Sequence, residues 1–270
     1  MSRRQRRAGA IARRPLVIGL VALATLIGTP VGAMGFKVAP PFLYLSGPVV
    51  YEDWPLWQET LAQHGKAIET VVLHDSPGGD ALAGQYIALN LRLRKLKTVV
   101  GGACMSACAN IFIAGVERQF APRGTSPGLL GFHGSYRESG KLRRRSEGDY
   151  YLRMTGWKMS EALILRFINL DDSAGALMFA DPEHRLRPGR APVMLCEGAA
   201  VRARRIDQCE VIEGTDALAQ GVVTSWELRE VGALPTPWKA KSARLLSDGP
   251  PVPATANDEA FPPPVNPPPK

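Results

Sequence analysis

The sequence predicts an α/β domain built on a parallel sheet. Three observations carry this: a strand–helix–strand–helix rhythm between residues 42 and 133, short apolar strands that each end at a glycine or small-residue turn, and a composition that is 45% hydrophobic over 270 residues. Such a chain can bury one full-sized core, and successive strands joined by helices pair in parallel through right-handed crossovers. The expected organisation is a signal peptide or signal-anchor helix over 1–35, one catalytic-sized domain over 36–245 and a Pro-rich tail over 246–270.

Residues 1–35 hold Arg3, Arg4, Arg6, Arg7, Arg13, Arg14 and no acid, which leaves +2 of the formal +8 for the rest of the chain. The basic cluster Lys141 with Arg143 to Arg145 lacks interleaved aromatics, so nucleic acid is not an expected partner. From Leu16 to Met34 runs an uncharged, mostly apolar stretch of membrane-spanning length, preceded by the arginines that the positive-inside tendency keeps in the cytoplasm. The protein is therefore expected in the cell envelope, facing the periplasm. Val31-Gly32-Ala33 has the small residues of a signal-peptidase site, so release after Ala33 competes with retention as an inner-membrane anchor. Ser2-Arg3-Arg4 lacks the apolar residues a twin-arginine signal carries next.

Phe42 to Val50 alternates and is β-rich, interrupted by Gly47-Pro48, and Trp54 to Ala67 reads as a helix. Thr70 to Leu73 is a short buried strand ending at Ser76-Pro77-Gly78-Gly79. Asp80 then caps the clearest helix, in which Leu82, Tyr86, Leu89, Leu93 and Leu96 recur three or four apart and are expected to face the core. Thr98 to Val100 is a strand, Ser106 to Ala114 a small-residue helix and Leu129 to His133 a strand. Gly148 to Leu170 is helical with a break near Gly156; its Tyr150, Tyr151, Met154, Trp157, Leu163 and Phe167 serve either the core or a subunit interface. Thr215 to Gln220 reads as a short helix and Gly221 to Thr224 as a closing strand. Nine of the last 21 residues are proline, which fits a disordered or polyproline extension.

Four cysteines fit an oxidising compartment, and pairing Cys104 with Cys108 and Cys196 with Cys209 is the simplest of three frameworks. Zinc is the competing use, but no Cys-x-x-Cys spacing or supporting histidine accompanies them, so no metal is expected. Ser106, between small residues at a helix start, is a candidate nucleophile. A serine hydroxyl needs a base and backbone donors for the oxyanion. Of His64, His74, His133 and His184, His133 at a strand end is the favoured base, with His74 behind it. Gly78 and Gly79 let backbone N–H groups approach a carbonyl oxygen, and the Ala107 amide supplies a second donor.

Leu45-Ser46-Gly47-Pro48, Val72 to Gly79, Cys104 to Cys108, Phe112 to Gly115 and Gly131-Phe132-His133, in that order, resemble the ClpP/crotonase superfamily. More narrowly, they are similar to exported ClpP-like serine proteases of bacteria, which carry two cysteines around the nucleophile. The resemblance covers residues 42–170, with a weaker echo at 215–225. It implies a spiral of βαβ units, a Ser-His-Asp peptidase with Ser106 as nucleophile and His133 as base, Gly79 and Ala107 as oxyanion donors, and possible homo-oligomer contacts through the helices after His133. Polypeptide is the implied substrate, and no cofactor is implied. Two departures stand out: Asp75 replaces the more usual Asn, and the third triad member has no single match. Alignment on Pro182-Glu183 places Ala176 there, and alignment on Thr215-Asp216 places Cys209 there. Asp172, Asp181, Asp207 and Glu210 are the candidate acids, and the site is also consistent with none. Competing readings are a catalytically inactive scaffold, a crotonase-type acyl-CoA enzyme, disfavoured by export away from CoA, and a Ser-Lys peptidase, disfavoured by the placement of Lys97, Lys141 and Lys158.

Overall fold

Strand β1 (Gly35–Ala39) turns back antiparallel onto β2 (Phe42–Ser46), helix α1 (Asp53–His64) leads to β3 (Thr70–His74), and α2 (Ala81–Leu93) leads to β4 (Lys97–Val100). The chain then crosses to a second sheet as β5 (Ala103–Met105), returns through α3 (Ala107–Ile113) to β6 (Arg118–Phe120), and re-enters the second sheet as β7 (Leu129–Phe132). A hairpin of β8 (Tyr136–Arg137) and β9 (Gly140–Lys141) follows, then α4 (Arg145–Met154), α5 (Glu161–Ile168), β10 (Ala176–Ala180), β11 (Val193–Cys196), α6 (Gly198–Arg202) and β12 (Glu210–Ile212). In this computed structural model the described residues are 32–122, 128–137, 140–141, 145–170, 174–181, 193–203, 205 and 208–235. The expected membrane segment, apart from its last residues, and the Pro-rich tail lie outside them, as do His184, Asp172 and Asp207. Among the described residues no helix is long and apolar enough to cross a membrane.

The first sheet has the order β1-β2-β3-β4-β6, with β2, β3, β4 and β6 parallel. A parallel sheet is covered on both faces, and all five residues of β3 are buried. Leu45, Val71 and Leu73 join the main core with Trp57, Ile87 and Leu91 of the helices. Tyr44, Val72 and Val99 face the other way, against Ala121 and Val231. The second sheet, β12-β11-β10-β7-β5, is antiparallel except where β5 and β7 run side by side. That parallel pair positions the candidate site.

Two expectations are corrected here. The stripe on α2 faces outward: Leu82, Tyr86 and Leu93 are exposed at 39%, 41% and 80%, and only Leu96, beyond the helix, is fully buried. The buried face is Ala83, Gly84, Ile87, Ala88 and Leu91. The cause is proximity to α3, since a Cβ on Gly84 would lie 2.9 Å from the Ala107 Cβ, so small residues have to fill the contact. Residues 215–224 form hydrogen-bonded turns instead of a helix and strand. Asp216 accepts from the Ala219 amide at 2.7 Å, and Gly221 at φ +64° ends the turn. Of the helical apolar set, Tyr151, Leu163 and Phe167 are core residues, and Trp157 is 67% exposed.

Candidate active site

β5 and β7 are parallel neighbours, with Met105 opposite Gly131, so Ser106 and His133 leave the sheet at the same edge. The Ser106 amide donates to the Gly131 carbonyl at 2.8 Å, which holds the serine beside the strand that ends in His133. Ser106 adopts φ 56° and ψ −123°, a conformation a residue with a Cβ holds only when its surroundings impose it. Here β5, the start of α3 and the Cys104–Cys108 disulfide, which bridges the two elements across the serine, impose it. Both cysteines are fully buried. The second disulfide, Cys196–Cys209, closes the segment that contains α6.

The double-glycine turn packs directly on this elbow. A Cβ on Gly78, at φ +86°, would come within 2.5 Å of the Ser106 Cβ and 3.0 Å of the Ala107 nitrogen. Val49 runs alongside as a parallel bridge to Gly79: its N–H donates to the Gly78 carbonyl and its carbonyl accepts from the Asp80 amide, each at 2.8 Å. In a parallel bridge the opposed residue turns its own N–H to the other side. The Gly79 amide accordingly has no hydrogen-bond partner among the described residues, and neither has that of Ala107, which as the first residue of α3 has no intrahelical acceptor. Gly78 has another role: its amide is engaged by Ser76 Oγ at 3.3 Å, so what it supplies is space. Ser76 and Val49 lay inside segments the sequence singled out, but the pairing of Val49 with Gly79 did not show there, because a bridge outside a regular strand leaves no pattern.

His133 is held differently from a triad histidine. Its Nδ1 lies 2.5 Å from the carbonyl oxygen of Gly134, and its ring stands 5.7 Å from that of Tyr136. Burial pushes its pKa below the ordinary histidine value, with the Gly134 contact opposing, so the ring stays neutral and able to accept a proton near neutral pH. Among the described residues the His133 ring bonds the Gly134 carbonyl and not the Ser106 hydroxyl, although both residues leave the sheet at the same end of β5 and β7. Catalytic hydrogen bonds are often long before substrate binds.

The acids are resolved in part. Asp181 is buried at the opposite end of β7, where Oδ2 accepts from the Gly128 amide at 2.5 Å, five residues or about 16 Å along the strand from His133. Glu210 sits on β12, three strand spacings or about 14 Å from β7, paired with Arg166 at 2.6 Å. Both are removed as candidates, and Asp172 and Asp207 lie outside the described residues. With Leu177 opposite Phe132, the next position of β10 beside His133 is Ala176, a buried methyl group. His74, the other base considered, is the last residue of β3, fully buried, with Nδ1 3.2 Å from Asp75 Oδ2.

No family model matches the sequence, and no curated protein matches it. Among solved structures the chain is similar to ClpP1 from Listeria monocytogenes, at 16% identity and TM-score 0.43, over 71% of this chain and 92% of that one. It is also similar to the 1510-N membrane-bound stomatin-specific protease, solved as a serine-to-alanine variant, at 15% identity and TM-score 0.36, over 51% of this chain and 70% of that one. A protein of Pseudomonas aeruginosa gives 15% identity and TM-score 0.35, over 56% and 73%.

Proposed function

We propose that this chain is a serine-type endopeptidase of the cell envelope, with Ser106 as nucleophile, His133 as general base and the Gly79 and Ala107 amides as oxyanion donors. The observation that carries the reading is the elbow. A serine held at φ 56° between a strand and a helix start, with the Gly79 and Ala107 amides both without a hydrogen-bond partner among the described residues, is an arrangement packing alone does not require. Attack by Ser106 Oγ on a peptide carbonyl passes its proton to His133, and the oxyanion forms under the two amides. His133 then returns the proton to the leaving amine. The substrate proposed is extended polypeptide near the membrane, the enzyme is periplasm-facing, and a homo-oligomer is part of the reading. No cofactor or nucleic acid enters the chemistry.

A second reading, a ClpP-like protein without catalysis, is favoured by one observation: Ala176 stands where an orienting acid would support His133, and the Gly134 carbonyl holds Nδ1 in its place. A carbonyl fixes the tautomer but adds no negative charge to stabilise the imidazolium, and loss of the acid in other serine hydrolases costs about 10⁴ in rate. A fluorophosphonate probe decides between them. Labelling of the folded protein that disappears in Ser106→Ala and falls at least about tenfold in His133→Ala supports the peptidase. Absence of labelling in folded protein supports the silent reading.

A further inference from the structure

Asp53, the first residue of α1, is 1% exposed, and burial pushes its carboxyl pKa up to about 6, the mark of a charge held at a cost away from water. Its Oδ2 accepts from the Val50 amide at 2.7 Å, whereas its Oδ1 is buried with no hydrogen-bond partner. Glu52 and Asp80 are the charged neighbours, both acidic, and among the described residues no cation pairs with Asp53. The other group facing the carboxylate is the backbone N–H of Met34, which favours its charged form. Met34 is itself 3% exposed, and the compact unit that contains the site begins two residues earlier, at Gly32. Met34 also follows Val31-Gly32-Ala33, the small-residue sequence suited to a signal peptidase.

We propose that hydrolysis of the Ala33–Met34 peptide bond turns the Met34 amide into an α-ammonium that forms a buried ion pair with Asp53. Water is the co-reactant and a signal peptidase of the export machinery the catalyst. The Ala33 carbonyl carbon gains the hydroxyl, and the Met34 nitrogen gains a hydrogen from water and a proton from solvent at neutral pH. The Met34 N–H already favours the charged carboxylate, so a positive charge created on that nitrogen stabilises a buried group that has one oxygen without a partner. A buried carboxylate that is costly alone becomes a satisfied pair. The pair also reaches the oxyanion turn, since the Val50 amide held by Asp53 is adjacent to Val49, which is bonded to Gly78 and Asp80. Only this last consequence rests on the peptidase reading; processing and pairing do not need Ser106 to react.

The test uses the full gene with its own leader, expressed in a bacterium, and protein recovered from the envelope. The first readout is the N-terminal residue by mass spectrometry: Met34 is expected, and a retained leader or any other start overturns the proposal. The second is the titration of the Met34 α-amine, followed by NMR of isotope-labelled methyl groups on the reductively methylated protein. An apparent pKa at least one unit above the ordinary α-amine range of about 7.7–8.0 is expected, and a value within or below that range overturns the pairing. Asp53→Asn should return the amine to the ordinary range and make its acylation at least about tenfold faster; an unchanged rate overturns the pairing. Should that variant fail to fold, the wild-type titration decides alone. Neither readout uses the fluorophosphonate, so failure here and failure of the peptidase reading are separate results.

Discussion

His133 gains its neutral form from burial, and its orientation from a backbone oxygen that cannot titrate. A base of this kind has one protonation event to report. Because its pKa is depressed, the reactive neutral form is populated once the pH exceeds that depressed value and is lost as the pH falls through it. The rate of Ser106 labelling by a fluorophosphonate should therefore rise with pH to a plateau, with its midpoint below about 6.5, the ordinary histidine value. A midpoint at or above that value would contradict the burial argument. Ser106, Ala107, Gly78 and Gly79 stood out only as an ordered set of short segments, since a serine at a helix start is usually a cap and a Pro-Gly-Gly run usually a turn. Ala176 beside His133 was one of two alignment outcomes until the pairing of β7 with β10 fixed it, and Gly134 carried no signal, since any residue has a carbonyl.

At the scale of the element, α2 separates hydrophobic pattern from burial. Its most regular apolar stripe is exposed, and the face packed on α3 is made of small residues that a hydrophobicity pattern ranks low. The two faces should respond oppositely to mutation. Tyr86→Ser or Leu93→Gln should change stability by less than about 0.5 kcal/mol, whereas Ile87→Ala should cost about 2–5 kcal/mol by leaving a cavity between α2 and the sheet. Urea midpoints at constant slope measure both, and a large loss in Leu93→Gln would restore the inward-facing stripe. Boundaries were better predicted than faces: Asp80 does cap α2, accepting from the Ala83 amide at 2.7 Å, and the break near Gly156 falls between α4 and α5, where Gly156 and Trp157 both have positive φ.

Across the whole molecule, one buried side chain ties the 221–224 turn to β6. Arg118 on β6 is 4% exposed and donates to the carbonyls of Gly115, Gly221 and Val222, while its backbone N–H donates to Thr224 Oγ1. Burial lowers its pKa to about 10, still far above neutral, so it stays charged and serves three carbonyl oxygens that have no solvent to turn to. A lysine offers no planar fork. Arg118→Lys should lower stability by about 3 kcal/mol, read from the urea midpoint, and a change under about 1 kcal/mol would show that the 221–224 turn is held by other contacts.

The sequence by itself determined the alternation of strands and helices from 42 to 133 and the helix cap at Asp80, and it favoured the local pairing of the cysteines that the structure shows, because each depends on residues close in the chain. Tertiary structure decided which face of α2 is buried, that Asp181 and Glu210 stand far from His133, and that the Met34 amide meets the Asp53 carboxylate. Those outcomes are set by strand register and by how closely two helices approach, and both are fixed only when segments distant in sequence compete for the same space.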